Sequence, residues 1–569
     1  MNNNKNVSNI ASTSTMGKRS DNDTDSDCEE IVCTVQNRRR IISSDSEEES
    51  ECVDNEINII SNEWSWENKE NECKIWKYSR VPGINIEMGG RITALQMLNK
   101  FLSTNFWNII VTESNRYASQ MIGDVTRKLK QSEEYWLDTN IDEIQAYFAL
   151  CILMAQVKKS SVKSYWSRRS IIETPIFQKT MPFLRFAQLS HFLHFSNNEV
   201  GDKDDRLCKL RVIIDYLNEQ FISIYTPDEY VSLDESLMKY TGRMSYKQFN
   251  LSKRARFGVK FYKLCESKSG YCMKFKIYTG QDKVKNSITS ASENVTIFMC
   301  TPIANLGHTL FMDSWYSSPN LFQKLQSMQI NAIGTVRCNR QNMPKELATI
   351  KLKKSEAISR SCKGILAVKW KDKKDIYLLS SKHKKMEMMN VEKKRWKSNI
   401  TVTKPNIVLE YNNGMSGVDH HDSHLSSFSL MRKYIKSYKK IFFYLMDIVL
   451  FNAYVLFLKA SNIPKSKKYT FSKFRLDVAE QILESVRMPE YTQHGRVSAG
   501  DTPLRLQSKQ WGHFPRNIPP TEAKKNPQRR CKVCAKHKIR SETTWECKEC
   551  LVALHIPRCF EIYHTQVDY

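Results

Sequence analysis

Between residues 90 and 225, apolar and aromatic side chains recur every three or four positions, as in Leu102, Phe106, Trp107 and Ile110 and again in Ile144, Tyr147, Phe148 and Cys151. That spacing puts each set on one stripe of a helix, so this segment is predicted to be a helical bundle. Tyr165-Trp166, Phe183, Arg185-Phe186 and His191-Phe192 can stack on nucleotide bases, but at this spacing aromatics more often pack helices together. The period changes at residue 229. Tyr230 to Asp234 and Val259 to Cys265 alternate, and Tyr271 to Tyr278 follows the turn-forming Ser267-Lys-Ser-Gly270, which predicts three antiparallel strands. Next come a helix from Ser292 to Ile303, a short strand from His308 to Asp313, a helix from Pro319 to Met328 and a fifth strand from Asn331 to Arg337.

Residues 339–410 are lysine-rich and contain a hairpin, Ile365 to Trp370 and Asp375 to Leu379 around Lys371 to Lys374, so they are expected to be an insertion. The helical pattern returns from Met415 to Ala460. Its apolar run, Ile441 to Leu458, has the length of a membrane span, yet Asp447 and Asn452 interrupt it, which predicts a buried core helix and no membrane partner. Residues 1–85 are rich in Asn, Ser and acid and cannot bury enough apolar surface to offset chain entropy, so they are expected to be disordered. Arg38, Arg39 and Arg40 in that segment are either an import signal or part of a solvated spacer.

Charge narrows the partners. The 569 residues carry a net charge of +26, and the first 60 hold six basic against thirteen acidic side chains, leaving 81 against 48 in the remainder. A positive field of that size draws in polyanions and releases their counterions, which points to nucleic acid. Eleven of the 16 cysteines are scattered singly, a usage suited to a reducing compartment. The first twenty residues are polar and lack a secretory run, so no export is expected.

Two constellations carry chemistry. Asp234 lies in the first predicted strand, Asp313 closes another, and Asp419 with Asp422 opens a helix. Aspartate is depleted in strands, and three convergent carboxylates can hold the two divalent ions that nuclease-type phosphoryl transfer needs, though strand-end and helix-cap roles are the ordinary alternative. His420 and His424, one helical turn apart, offer a separate metal pair or a solvated helix end. Lys253, Arg254, Arg256 and Lys260 flank the first strand pair and can neutralise phosphates, or simply decorate a solvated edge. The tail holds Cys531, Cys534, Cys547, Cys550, His555, Cys559 and His564, two CxxC knuckles followed by three further soft ligands, a zinc module for one or two ions. Two tetrahedral sites take eight ligands, and His537 is a candidate for the eighth.

The segments Ser232-Leu-Asp234-Glu-Ser-Leu, Tyr240-Thr-Gly-Arg243, Phe257-Gly-Val-Lys260, Met312-Asp313-Ser-Trp-Tyr-Ser-Ser-Pro-Asn-Leu321, residues 364–381, Tyr411-Asn412, Met415-Ser-Gly-Val-Asp419-His-His-Asp422 and Cys559-Phe-Glu-Ile-Tyr-His564 together resemble the piggyBac family of DNA transposases and their host-derived relatives. The resemblance runs from about Gly89 to Thr565. It implies an α/β multidomain protein with an RNase H-like core at 227–338 and 411–460, interrupted by an insertion at 339–410. It also implies a helical dimerisation and DNA-binding domain split between 86–226 and 461–527, and a zinc-binding cross-brace at 528–569. By the same resemblance Asp234, Asp313 and Asp419 take the catalytic places, on two Mg2+ ions, with Asp422 as their acidic neighbour. The protein is then expected to be a nuclear homodimer that cuts transposon ends and joins them at TTAA targets, or a host-adopted, catalytically idle DNA-binding protein of the same fold. This sequence departs from the family pattern at Ser416, where glycine is common, and at His555, where cysteine is usual.

Overall fold

The computed structural model describes residues 64–569 apart from 88–89, 91, 124–135, 203, 251–255, 281–289, 396–397, 431–435, 462–468 and 492–512. These residues form two compact units, one of the chain up to Lys159 with Leu184–Pro489, the other of Ser160–Phe183 with Glu490–Tyr569.

In the first unit, β1 (Gly83–Ile84) pairs antiparallel with β2 (Tyr225–Thr226). Between them run α1 (Ala94–Phe101), α2 (Thr104–Ile122), α3 (Ile141–Gln156), α5 (Phe183–Phe192) and α6 (Arg211–Ile224), while α4 (Pro175–Thr180) belongs to the second unit. Thr93 and Gln96 form a reciprocal capping box at α1, and the Asn140 carbonyl side chain accepts the Glu143 N–H at α3, so backbone donors that a helix start orphans are satisfied locally. The predicted stripes are buried: Leu102, Phe106, Trp107 and Ile110 from one run, Ile144, Tyr147, Phe148 and Cys151 from the other.

The frame of this unit is a nine-stranded sheet. Its strands are β3 (Tyr230–Lys239), β4 (Gln248–Phe249), β5 (Phe257–Glu266), β6 (Cys272–Ile277), β7 (Thr309–Met312), β8 (Asn331–Thr335), β9 (Ala357–Cys362), β10 (Ile365–Lys371) and β11 (Asp375–Ser380). β6, β5 and β3 are antiparallel neighbours, and β7 and β8 then continue parallel to β3. Parallel pairing needs a crossover, supplied by α7 (Ala291–Cys300) before β7 and α8 (Pro319–Ser327) before β8. The hairpin read from residues 365–379 is β10–β11, but this stretch does not stand apart from the sheet: β11 docks antiparallel on β8, and β9 forms the far edge. After the short α9 (Lys345–Thr349), only β12 (Met388–Arg395) and β13 (Ser398–Pro405) form a ladder of their own.

Residues 1–63, expected to be disordered, lie outside the described residues, but 64–85 are ordered. Glu67 bridges Ser361 on β9, the Asn71 amide donates to the carbonyls of Gly364 and His383, and the Tyr78 hydroxyl donates to Pro227 O at 2.6 Å. The segment is polar, but it satisfies itself on an edge strand that would otherwise offer unpaired groups.

Beyond α10 (Asn406–Gly414) and α11 (Gly417–Ser427), α12 (Ser437–Ala460) is the apolar run singled out by sequence, and α13 (Phe471–Ser485) follows. Among the described residues α12 is the one helix long and apolar enough to span a bilayer, and 89% of its apolar window is buried within the protein. Its interrupting polar residues explain why. Asn452 accepts the Cys272 N–H (2.9 Å) and donates to the Cys272 carbonyl (2.8 Å), giving β6 a side-chain partner. Asp447 pairs with buried Arg475 at 3.1 Å, and burial still pushes its carboxyl up to about 6.

The second unit contains a 3-10 turn (Lys163–Trp166), β14 (Pro515–Asn517) paired with β17 (Trp545–Cys547), β15 (Arg529–Arg530) paired with β16 (Glu542–Thr543), α14 (Lys532–Lys536) and α15 (Arg558–Thr565).

In the first unit His194 is 1% exposed, stacks on Tyr117 and meets Tyr438 and Asn198 at 3.0 Å, and burial pushes its imidazole down to about 4. Because the folded value lies below the unfolded one, the neutral ring stabilises the fold above about pH 6.5 and this contribution is lost as pH falls through about 4, at most about 3 kcal/mol. Urea unfolding followed from neutral to acidic pH is therefore expected to be flatter for His194→Gln than for the parent; equal slopes would contradict the assignment.

Candidate active site and cysteine-histidine clusters

β3 and β7 run parallel with Ser232 opposite Phe311 and Leu233 opposite Met312. Asp234 follows that pairing on β3, and Asp313 is the first residue past the end of β7. Alternation puts Ser232 and Asp234 on one face of β3, beside Phe311 on β7. That face is covered by α10 and α11 at van der Waals closeness. A Cβ on Gly414 would lie 2.2 Å from the Phe311 ring, and one on Gly417 would lie 2.5 Å from Ser232 Oγ and 2.8 Å from the Glu266 carbonyl. Asp419 follows two residues later in the first turn of α11, where it is exposed. The Tyr411 phenol on α10 is pushed up to about 12, chiefly by burial, with the negative charges of Asp313, Asp234 and Asp419 adding to it.

Local bonds hold the first two acids. The Glu235 N–H donates to Asp234 Oδ1 at 2.7 Å, and the Trp315 N–H donates to Asp313 Oδ1 at 3.0 Å, turning the chain out of β7. Asp422 is differently engaged: its Oδ1 accepts from Lys263 Nζ at 2.7 Å and from Ser236 Oγ at 2.8 Å. Burial works against the Lys263 charge, but Asp422 and Tyr444 outweigh it and the ammonium is raised above its ordinary value.

The rings of His420 and His424 lie 4.7 Å apart, centroid to centroid. His420 Nδ1 donates to Ser269 O, His424 Nδ1 donates to His420 O, and both rings lie against Phe451. His420 and His421, whose Nδ1 donates to Gly270 O at 2.9 Å, pin the β5–β6 turn, where Gly270 adopts φ +74°. Of the four basic residues, Lys253 and Arg254 lie outside the described residues. Arg256 is exposed at the start of β5. Lys260 is committed to Glu235 at 2.8 Å and lies over the rings of Trp315, Tyr262 and Tyr278.

In the second unit the soft ligands fall into two groups, Cys531, Cys534, His555 and Cys559, and His513, Cys547, Cys550 and His564, each with its ligand atoms within 4.8 Å of one another. The sets interleave along the chain. Cys534 Sγ lies 3.7 Å from Cys559 Sγ and 3.5 Å from His555 Nδ1, and Cys550 Sγ lies 3.3 Å from His513 Nδ1 and 3.7 Å from His564 Nε2. Metal–sulfur bonds of about 2.3 Å give tetrahedral edges of about 3.8 Å, so both groups fit a four-coordinate ion. The other imidazole nitrogens are oriented for it: His555 Nε2 donates to Glu542 O at 3.1 Å and His564 Nδ1 donates to Phe560 O at 2.7 Å, leaving the lone pairs facing sulfur. The eighth member of the two groups is His513, whereas His537 caps α14. His513 sits far upstream of the knuckles, and nothing in their spacing reveals it. Lys263, by contrast, leaves a trace, since it shares a strand face with Val259, Phe261 and Cys265, where a lone ammonium needs a carboxylate.

The mixed sheet with its covering helices is an α/β fold, and the family comparison puts the chain in the transposase class. Residues 93–454 match the family model described as Transposase IS4, and the chain belongs to that family in its piggyBac-type form. Human PiggyBac transposable element-derived protein 3 is 27% identical over 486 residues, covering 83% of this chain and 76% of the relative. Human PiggyBac transposable element-derived protein 2 is 23% identical over 377 residues, covering 64% and 61%. The fold resembles that of a piggyBac transposase solved by cryo-EM as a synaptic complex with hairpin DNA, with TM-score 0.63, 20% identity, and coverage of 84% of this chain and 100% of the other.

The glycine at 417 is the test of the seating. Gly417→Ala forces α11 off backbone that cannot yield, so chemical denaturation is expected to show a loss of about 1–3 kcal/mol. A neutral substitution would mean that α11 is not held against β3.

Proposed function

We propose that this protein is a piggyBac-like DNA transposase that cleaves DNA at transposon ends and joins them to TTAA targets, with Asp234, Asp313 and Asp419 holding two Mg2+ ions. The carrying observation is that Asp234 on β3 and Asp313, just past the end of the parallel neighbour β7, follow the paired Leu233 and Met312, while Asp419 stands on α11, the helix that Gly417 seats on β3. An all-oxygen donor set of carboxylates suits Mg2+. The ions, when bound, supply activation of the attacking oxygen and stabilisation of the leaving oxygen in an in-line displacement. Asp234, Asp313 and Asp419 would hold the ions together, with Asp234 shared between them. The order β6–β5–β3–β7–β8, antiparallel up to β3 and parallel after it, supports an RNase H-like core. Arg256 and the positive balance of the chain beyond its acidic first 60 residues support phosphate binding. A nuclear homodimer is the form that the family resemblance supports.

A second reading has its own support. The human relatives are named as transposable element-derived proteins, so this chain can equally be a host-adopted DNA-binding protein with the same frame. Asp313→Ala separates the two. For a working transposase it is expected to lower Mg2+-dependent cleavage of the terminal repeats flanking the coding sequence at least about a hundredfold, the equivalent of several kcal/mol, while leaving DNA binding intact. A parent protein that binds but never cleaves supports the adopted form.

The two Cys/His groups are proposed to hold one Zn2+ each. Elemental analysis of the purified chain is expected to find about two zinc ions, falling to about one in His513→Ala, and a strong chelator is expected to unfold the second unit. A His513→Ala protein that keeps its full zinc content would remove His513 from the ligand set.

A further inference from the structure

We propose that Asp422, half-buried, is no ligand of the catalytic ions but the anionic partner of the buried Lys263, and that Lys263 is a positioning residue that fixes the roll of α11 and so places Asp419. This inference rests on the carboxylate site proposed above. Lys263 on β5 is the cross-strand partner of Asp234, and its side chain is 0% exposed. Its ammonium donates to Asp422 Oδ1 at 2.7 Å and to the Tyr444 hydroxyl at 2.8 Å. Ser236, two residues along β3 from Asp234, reaches the same two atoms at 2.8 and 2.9 Å. The four side chains therefore close a network that ties β3, β5 and α12 to one carboxylate of α11.

An isolated ammonium at this depth would cost several kcal/mol, so Lys263 needs a full negative charge beside it, and Asp422 supplies it. A carboxylate whose charge is already balanced, and whose Oδ1 already accepts twice, has little left to offer a divalent cation. Asp419 and Asp422 are three residues apart on α11 and so lie on one side of the helix. Fixing Asp422 to the strand next to Asp234 sets the rotation that turns Asp419 toward Asp234. Gly417 sets how close the helix lies, and Lys263 sets how it is rolled.

The test uses the full chain with its zinc retained, and two readouts: Mn2+ binding by titration calorimetry and Mg2+-dependent cleavage of the terminal repeats. Asp422→Asn leaves the buried lysine uncompensated and is expected to weaken Mn2+ binding and raise the Mg2+ requirement about 10–100-fold, the range for lost supporting partners of a metal site. The double variant Lys263→Met/Asp422→Leu replaces the pair with apolar groups of similar size and is expected to recover to within about threefold of the parent in both readouts. If the double variant binds Mn2+ as poorly as Asp419→Asn, Asp422 is a ligand and the inference fails. Should Asp422→Asn not fold, as thermal melting would show, the double variant alone decides. A parent and double variant that bind Mn2+ alike while neither cleaves would count against the transposase reading and leave the pairing intact, whereas a parent that binds no Mn2+ overturns both.

Discussion

The acidic site depends on how closely the α10–α11 segment can approach the β3–β7 strand pair. Two glycines make the contact: one rests on the Phe311 ring and the other on Ser232 and the carbonyl of Glu266. Packed interiors do not deform continuously, so a single methyl group at either place would lift the helix rather than compress the sheet. Because the third acid comes from that helix, its distance from the strand acids is set by the absence of side chains beneath it. The acids themselves contribute nothing to this fit, since three like charges brought together repel until a cation joins them.

Polar groups within the core do the orienting that apolar packing cannot. Apolar contacts are non-directional and would let α12 slide or turn, whereas Asn452 matches one N–H and one C=O of β6 and Asp447 faces the guanidinium of Arg475. Glu266, fully buried at the end of β5, similarly accepts the Tyr225 hydroxyl at 2.6 Å and the Asp228 N–H at 2.9 Å. The second unit follows a different rule. Its buried apolar cluster consists of Cys531, Val533, Cys547 and Leu554, half of it thiols, so on the zinc reading proposed above a segment of this size gains its stability from coordination more than from burial.

Much of the frame was legible in the chain. Alternation from Tyr230, from Val259 and after Gly270 marks β3, β5 and β6, and the returns to helical period mark α7 and α8, because the side-chain period follows each element's own geometry, even where β5 and β6 are buried on both faces. The stretch after residue 339 misled: its lysines suggested a separate insertion, yet Ile365, Leu366, Ala367 and Val368 are fully buried because β10 lies inside the shared sheet. Residues 64–85 misled in the other direction, since a polar strap can be ordered by backbone and amide hydrogen bonds that composition does not register.

The sequence alone determined which chemistries were on offer: carboxylates on strands, paired thiols near the end, a positive balance, and a long apolar helix with two polar interruptions. Those follow from residue type and short-range spacing. Only the tertiary structure decided which members of each set meet. It paired Asp422 with Lys263, committed Lys260 to Glu235, turned His420 toward the Ser269 carbonyl, and brought His513 in from upstream beside Cys547, Cys550 and His564. The reason is that these pairings join residues tens to hundreds of positions apart, and a partner at that range is fixed by strand register and helix seating, neither of which has a period that can be seen along the chain.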